Sequence, residues 1–592
     1  MLRGFRWQFL VLIMALGLFI VSLLTRTNTP EQPAPEVVPQ STSTAAVLVP
    51  TTTPGSVEVI APAPVTDNQP VPTYREALVG AIQRLNPLFT DLNPVDRDIT
   101  ALIFEGLTRT NQYGEPEPDL AKSWVISSDG LEYIVQLRDD VLWQDGIPFI
   151  ATDVVYTLSL LQSPDFPGDS ELGAFWRTVE IQPLNDHLIR FRLTQPLGSF
   201  LDSLRIGILP EHALRGTTAA QIASHPFNLS PIGTGPYQLE ALRSASGNNV
   251  QIVDLRVAPV YRARPEGQSG FAVERMSFHL YNTFDNALTA FKAGEVDALA
   301  GSTRDERSAL LSLPVGSANI HTALQPTLGT LIFNWAKDST RFFREQRVRI
   351  ALQTGLDRGS IIERYLANQV VRADSPLFPG SWAYESDLPW PLPDANAARQ
   401  MLENVKIRSA SPEATEEPAP PGGAKFAFTI LTPDDPQLVS LAQEIAAQWS
   451  QLNITVTVET ADAATYQSRL DSGDFDAALV ELSLGDSADP DVYQFWDEGQ
   501  YPDGKNYAGV DDRRIAEDLE RARRDPSGIN RIILYDNFQR DFIERAVAIP
   551  LYYPLYTYAT APQVNGVQLG FIGSPANRFN NIRDWMIPVA GS

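Results

Sequence analysis

Residues 106–161 read GLTRTNQYGEPEPDLAKSWVISSDGLEYIVQLRDDVLWQDGIPFIATDVVYTLSLL, and their patterning decides the fold class. Trp124 and Ile126 alternate with polar neighbours, Asp129-Gly130 supplies a turn, and Leu131, Tyr133, Val135 and Leu137 alternate again. Period-two patterning on both sides of an Asp-Gly pair is a strong local hairpin signal. A second turn, Asp145-Gly146-Ile147-Pro148, follows the apolar Val141-Leu142-Trp143. Thr152 or Asp153 stands where a helix cap belongs, ahead of Val154, Val155, Leu158 and Leu161 on one face. Strand, hairpin, strand, turn and helix make part of an α+β lobe.

Working outward, size and composition set the limits. At 592 residues the chain is too long for one hydrophobic core, so two or more lobes are expected. With 43% hydrophobic and 20% charged residues it is globular. A formal charge of -25 argues against nucleic acid, whose phosphates it would repel. The absence of cysteine removes disulfides, thiolate zinc sites, thiol nucleophiles and a lipid-modified cysteine anchor. The five histidines form no His-x-x-x-His pair, so neither a metal site nor a cofactor is expected.

Trp7 to Leu24 is uncharged and nearly all apolar. As a helix it would span roughly 27 Å, close to a bilayer's hydrocarbon core. Arg3, Arg6 and the amino terminus place the N-terminal side in the cytoplasm. A cleaved signal peptide is the alternative, but its apolar core usually runs to about 7–15 residues and ends at a small-x-small site. LLTRTNTP offers no such site. Residues 1–26 are therefore expected to be a cytoplasmic tail and single-pass transmembrane anchor, with the folded part outside the cytoplasm. Residues 27–72, rich in Pro and Thr, are expected to form a disordered tether. In polyproline geometry the tether would reach at most roughly 140 Å.

The folded part begins near Tyr74, and Ala77 to Gly80 reads as a short strand. Asp98 to Leu107 is expected to be a short amphipathic helix, and Ile189 to Leu193 a strand entered by the turn Asn185-Asp186. Ala287 to Leu299 reads as a helix ending at Gly294 and then a strand; Thr327 to Trp335 reads as a buried strand. Phe426 to Ile430, the amphipathic run Leu438 to Leu452, and Ile454 to Val458 read as a βαβ unit with a parallel sheet. Residues 409–423, acidic and Pro-rich, are expected to be a disordered insertion.

Several of these segments carry a family likeness. Leu120-Ala121-Lys122-Ser123-Trp124, Ser128-Asp129-Gly130, Leu137-Arg138 and Asp145-Gly146-x-Pro148-Phe149-x-Ala151-x-Asp153-Val154-Val155 occur in dense order. They resemble the signature of the family 5 extracellular solute-binding proteins, the peptide, nickel and related ligand receptors of ABC importers. Gly233-Thr234-Gly235-Pro236-Tyr237, Phe333-Asn334, Arg347-Val348-Arg349-x-Ala351-Leu352 and Leu356-Asp357-Arg358 continue the family order. The resemblance implies an α/β architecture of α+β lobes, a periplasmic-binding-protein type II-like fold with a hinge. It divides the chain into residues 73–330 with 556–592 and residues 331–555, crossing between lobes near Thr330–Trp335 and Ile549–Tyr556. It also implies that much of the 106–161 stretch lies away from the ligand.

Chemistry is concentrated in Gly485-Asp486-Ser487-Ala488-Asp489-Pro490-Asp491. Three acids so close could hold a cation, although Pro490 breaks the calcium-loop order and no closing Glu follows; a solvated acidic turn is the plainer reading. The resemblance offers a third reading. In the related peptide receptors the first aspartate of Gly-Asp-x-x-Asp-Pro pairs with the ligand's free α-amino group, and Asp486 occupies that place. Those receptors often carry an aromatic residue three positions earlier, where this chain has Ser483. Gly485, Asp489, Thr90, Asp91, Gly233, Thr234, Gly235, Tyr237 and Asn334 complete the expected ligand-binding set. The glycines around Thr234 could cradle a phosphate or simply admit a strand through a tight backbone turn. Trp382, Trp390, Tyr493 and Trp496 could wall a ligand or pack a core. No Gly-x-Ser-x-Gly or other nucleophile motif appears, so an enzyme is not expected.

The expected function is the substrate-binding component of an ABC importer, a monomer that captures a peptide or similar solute and delivers it to the permease's transmembrane subunits. A nickel complex or oligosaccharide is the alternative ligand, and a membrane-anchored hydrolase or solute sensor the alternative class.

Overall fold

The strand Ile549–Thr560 reads IPLYYPLYTYAT and is buried along nearly its whole length. An apolar run without alternation is what a strand covered on both faces requires. The computed structural model describes residues 71–244, 250–262, 271–367, 369–405, 426–526 and 528–587. The expected anchor, all but the end of the tether, and the insertion at 409–423 lie outside them. Among the described residues no helix is long and apolar enough to cross a membrane.

In chain order the first lobe supplies β1 (Thr73–Val79), β2 (Thr108–Thr110), β3 (Pro116–Pro118), β4 (Ala121–Ile126), β5 (Glu132–Leu137) and β6 (Val179–Asn185). It continues with β7 (Leu188–Leu193), β8 (Tyr237–Arg243), β9 (Ile252–Val257), β10 (Arg275–Tyr281), β11 (Ala298–Gly301) and β12 (Asn319–Leu324). The second lobe supplies β13 (Thr327–Phe333), β14 (Val370–Arg372), β15 (Ala427–Pro433), β16 (Thr455–Ala461) and β17 (Ala477–Ser483), and Ile549–Thr560 is β18. One sheet runs β16-β15-β17-β13-β18-β11-β1-β10-β9-β8, with β12 and β14 also paired to β18.

This sheet crosses between the lobes on β18. Residues Ile549–Pro554 pair antiparallel with β13 and β14, and Leu555–Thr560 with β12 and β11. The other crossing joins β12 to β13 through Gln325-Pro326, earlier than the expected Thr330–Trp335, because β13 pairs with β17 from Thr327 onward. The two crossings touch: the Gln325 N–H donates to the Pro554 carbonyl at 2.9 Å. Each lobe keeps its own core. Tyr74, Ile99, Trp143, Phe191, Tyr237 and Trp585 belong to one, and Phe333, Phe428, Ile445, Trp449 and Phe542 to the other.

The 106–161 stretch folds as strand, hairpin, strand, turn and helix. β4 and β5 pair antiparallel across Asp129-Gly130, and Gly130 takes φ +70°. Tyr133, Val135 and Leu137 are buried, but β4 is the edge of the four-stranded sheet β4-β5-β7-β6, which leaves Val125 69% exposed and Ile126 exposed too. The helix runs Ala151–Gln162 behind Ile150, so neither Thr152 nor Asp153 is its N-cap. Asp153 sits in the first turn instead, where its carboxylate accepts the Ile150 N–H at 3.0 Å and the Trp143 indole N–H at 3.2 Å. A second correction concerns the helix expected at Asp98–Leu107, which spans Pro94–Ile103. Asn93 caps it by accepting the Val95 N–H, and Pro94 fits the first turn, where its missing N–H costs nothing. The βαβ unit forms as β15, helix Pro436–Ser450 and parallel β16.

Arg578 locks the C-terminal segment to the first lobe. Its fully buried guanidinium donates to Glu76 of β1 at 2.6 and 2.8 Å and pairs with Asp98 at 2.8 Å. The Tyr558 hydroxyl of β18 donates to the same Glu76 at 2.7 Å. Truncating one partner of such a network strands the opposite charges in a low dielectric. Arg578→Ala is therefore expected to cost about 3–5 kcal/mol, read as a lower urea midpoint for unfolding of the first lobe.

Candidate functional site

Parallel strands β1 and β11 both end toward the second lobe: Gly301, the last residue of β11, pairs with Thr557, three residues from the β18 crossing. In open α/β sheets the crevice outside the strands' carboxyl ends is where ligands are held. The loop after β1 carries Thr90 and Asp91, and the segment after β17 carries Gly485 and Asp486. The first loop is firmly built. Asn86 accepts the Leu88 N–H at 3.0 Å, and Phe89 stacks on Phe166 with ring centroids 5.6 Å apart.

The Asp486 segment starts at the crossing, where the Leu484 N–H donates to the Pro326 carbonyl at 2.7 Å. Gly485 turns the chain at φ +103°, a left-handed conformation that disfavours any side chain. The Asp486 carbonyl accepts Arg205 Nη1–H at 2.5 Å, and the Ala488 N–H donates to the Gly114 carbonyl at 2.8 Å. Among the described residues, no hydrogen bond or ion pair engages the exposed Asp486 carboxylate. It faces other acids. Desolvation against the surrounding chain pushes the Asp91 carboxyl above its usual range, and the charges of Asp486 and Asp169 push it further. Free carboxylates sharing one field attract a cationic group, and an ammonium gains a charge-assisted hydrogen bond there.

The remaining acids of the segment are engaged within the protein. Asp489 accepts from buried Arg531 at 2.7 Å, and Arg531 in turn lies over the Trp382 and Tyr535 rings. Asp491 lies 3.5 Å from Arg523. Asp489 is thus a structural clamp.

Other expected ligand residues are placed elsewhere. Asn334 is buried and uses its whole side chain: its amide N–H groups donate to the Gly473 and Phe475 carbonyls, and its oxygen accepts from the Ala336 and Lys337 N–H groups. Gly233, Thr234, Gly235 and Tyr237 are all buried in the first lobe. A Cβ at either glycine would overlap the backbone of helix Pro94–Ile103, so the glycines admit β8 past the helix end. The Tyr237 hydroxyl donates to the Val273 carbonyl at 2.7 Å. The candidate aromatic walls also pack inward or cover arginines: Trp496 against Phe542, Trp390 on Arg358, and Tyr493 on Arg523. Of the expected set, the structure brings together Thr90, Asp91, Gly485 and Asp486.

Three participants carry no local sequence signal. Arg205 reaches Asp486 from 281 positions away and also donates to Thr110 Oγ1 and to the Asp202 carbonyl. Burial pushes the Asp202 carboxyl up to about 6 against the opposing pull of Arg205. Arg304, at the start of helix Arg304–Leu311, extends from the first lobe to Asp435, Glu481 and the Tyr552 hydroxyl of the second. A cavity of about 170 Å³ beside Glu481 and Tyr552 is walled by Thr330, Leu438, Tyr466 and Leu479. A polar groove of about 720 Å³ in the first lobe passes Thr110, Tyr113 and Asn581, with Arg205 on its wall.

Residues 115–503 match the sequence model of the bacterial extracellular solute-binding proteins, family 5 middle. The chain belongs to this family. Its members bind solutes outside the cytoplasm and are not enzymes. The chain is 24% identical over 526 residues to the oligopeptide-binding protein AppA of Bacillus subtilis (strain 168), covering 86% of this chain and 91% of that one. It is also 24% identical over 481 residues to di/tripeptide-binding protein 2 of Pseudomonas aeruginosa (strain UCBPP-PA14), covering 76% and 84%. Among solved structures, NikZ from Campylobacter jejuni in complex with Ni(L-His) aligns with a TM-score of 0.65 at 24% identity, over 87% of this chain and all of that one. AppA with a nonapeptide aligns at 0.62 and 23% identity, over 88% and 99%. These likenesses show the mixed α/β, two-lobe binding-protein fold.

Asp202 gives the seam between Asp486 and the first lobe a pH dependence. Because its folded value lies above the ordinary 3.8, the folded state holds that proton more tightly from about pH 4 to about pH 6. The stability it contributes is present at the acid end of that window and is lost as pH rises through it. The difference in melting temperature between the unsubstituted chain and Asp202→Asn should therefore fall from pH 4 to pH 6.5, by differential scanning fluorimetry.

Proposed function

We propose that this protein is the substrate-binding component of an ABC importer whose ligand carries a free amino group, a peptide above all. The observation that carries this reading is the Asp486 carboxylate beside the lobe crossing, unpaired among the described residues and facing Asp91. Peptide binders such as the Bacillus and Pseudomonas relatives support it. Ligand is captured between the first lobe, which carries β1 to β12, and the second, which carries β13 to β17. Closure is driven by the ligand's better contacts with the closed state, and the closed receptor is delivered to the permease. The receptor acts as a monomer held outside the cytoplasm by the apolar stretch Trp7–Leu24 and the Pro/Thr-rich tether.

Native mass spectrometry of the purified full chain is expected to show co-purified peptides. A charge-assisted hydrogen bond contributes about 1.5–3 kcal/mol, so Asp486→Asn should weaken free-amine peptides about 10- to 150-fold. Unchanged affinity for such peptides would remove Asp486 from the site. The anchor is tested by fractionation: the full chain should pellet with membranes and resist carbonate, and a chain starting at residue 27 should not.

A further inference from the structure

We propose that Gly573 and Arg205, both on first-lobe segments, are positioning residues for Asp486, so that an amine-binding carboxylate carried by the second lobe is aimed by contacts from the first. The inference rests on the amine-binding reading of Asp486 and adds what fixes that residue in place.

A Cβ built on Gly573 would lie 2.5 Å from the Asp486 carbonyl oxygen and 2.7 Å from its carbonyl carbon. Gly573 is not among the glycines with positive φ, so its lack of a side chain answers to close approach and not to backbone conformation. On the other side, Arg205 donates to the same carbonyl at 2.5 Å. Its guanidinium is held in turn by Thr110 Oγ1 at 3.1 Å and the Asp202 carbonyl at 2.9 Å. Two residues further on, the Ala488 N–H donates to the Gly114 carbonyl, and a Cβ on Gly114 would come within 2.7 Å of the Ala488 Cβ. Three separate first-lobe segments thus converge on Asp486–Ala488.

The segment is also anchored to the second lobe: Ala488 is buried in that lobe's core, and Asp489 pairs with buried Arg531 at 2.7 Å. β17 ends at Ser483, Leu484 is tied to Pro326 on the crossing, and Gly485 has open space where a Cβ would be. Asp486 therefore lies where the lobes touch, carried by second-lobe chain on both sides and fixed in this arrangement by Arg205 and Gly573. Hydrogen bonds weaken steeply with misalignment, so a carboxylate seated in advance discriminates a free amine better than one on a mobile loop.

The test uses the full-length protein with trialanine and N-acetyl-trialanine as probes, titrated by calorimetry. The unsubstituted chain should prefer the free amine; the absence of any preference would overturn the amine-binding reading itself, whatever the variants do. Gly573→Ala should weaken trialanine about 10-fold while leaving the acetylated probe within about 2-fold, collapsing the preference. Arg205→Met should do the same, and Arg205→Lys, which keeps a donor, should restore part of it. Gly528→Ala, where a side chain meets nothing, is the control. A readout free of ligand accompanies these: hydrogen exchange of the Ala488 amide should speed in Gly573→Ala and Arg205→Met, with the amides of helix Pro436–Ser450 unchanged. Equal loss for both probes, or unchanged preference and Ala488 exchange, would overturn the seat.

Discussion

Everything in this molecule is arranged around one shared strand. β18 is hydrogen-bonded to the second lobe along its first half and to the first lobe along its second, and it is covered on both faces. Neither lobe can release it without exposing backbone groups and aromatic side chains together. The second crossing, through Gln325-Pro326 between strands antiparallel to β18, is bonded to Pro554 alongside the first. The nearby register shift between Gly329 and Thr330 lies where a Cβ on Gly329 would overlap the Tyr552 ring. A bulge beside a glycine is how a sheet bends without losing its ladder.

The same economy governs charge. A chain with a formal charge of -25 has carboxylates everywhere, and most near the crossings are already engaged. Glu76 and Asp98 hold Arg578, Asp489 holds Arg531, and Asp435 and Glu481 hold Arg304. Each pair removes an acid from competition for a cationic ligand and fixes two segments together. Buried pairs of this kind contribute little net stability but are costly to break, so they act as geometric constraints. Against that background an unpaired Asp486 is conspicuous.

Local patterns told the element types and not their partners. The β5 alternation, the β15-helix-β16 unit and the buried run of β18 were legible, because one face or two faces in the core leave a period in the sequence. Ile126 misled because an edge strand exposes a residue that alternation assigns inward. The helix after the first loop begins four residues early because Asn93-Pro94 is a start signal, stronger than the amphipathic pattern that follows it. Asp486 could be singled out by family likeness alone, and nothing local separates it from Asp489. Only the fold shows that one is paired with Arg531 and the other is free. Arg205 and Gly573 left no trace, since what they do depends on a contact with a segment far away in the chain.

A binding carboxylate placed at the joint between lobes is subject to two opposing requirements. It must be still enough to define the direction of a hydrogen bond, yet near enough to the moving surfaces for ligand to bias their closure. Contacts from the first lobe meet the first requirement: Arg205, Gly114 and Gly573 hold the backbone of Asp486–Ala488. The second-lobe chain on both sides meets the second, because β17 precedes the segment and Asp489 pairs with Arg531 after it. On the proposed function, a ligand held at Asp486 lies where the lobes touch, so that further contacts existing only in the closed arrangement favour closure. A contact that is the same in the open and closed arrangements shifts neither, so Asp486 biases closure only to the extent that Arg205 and Gly573 aim its carboxylate better when the lobes are together.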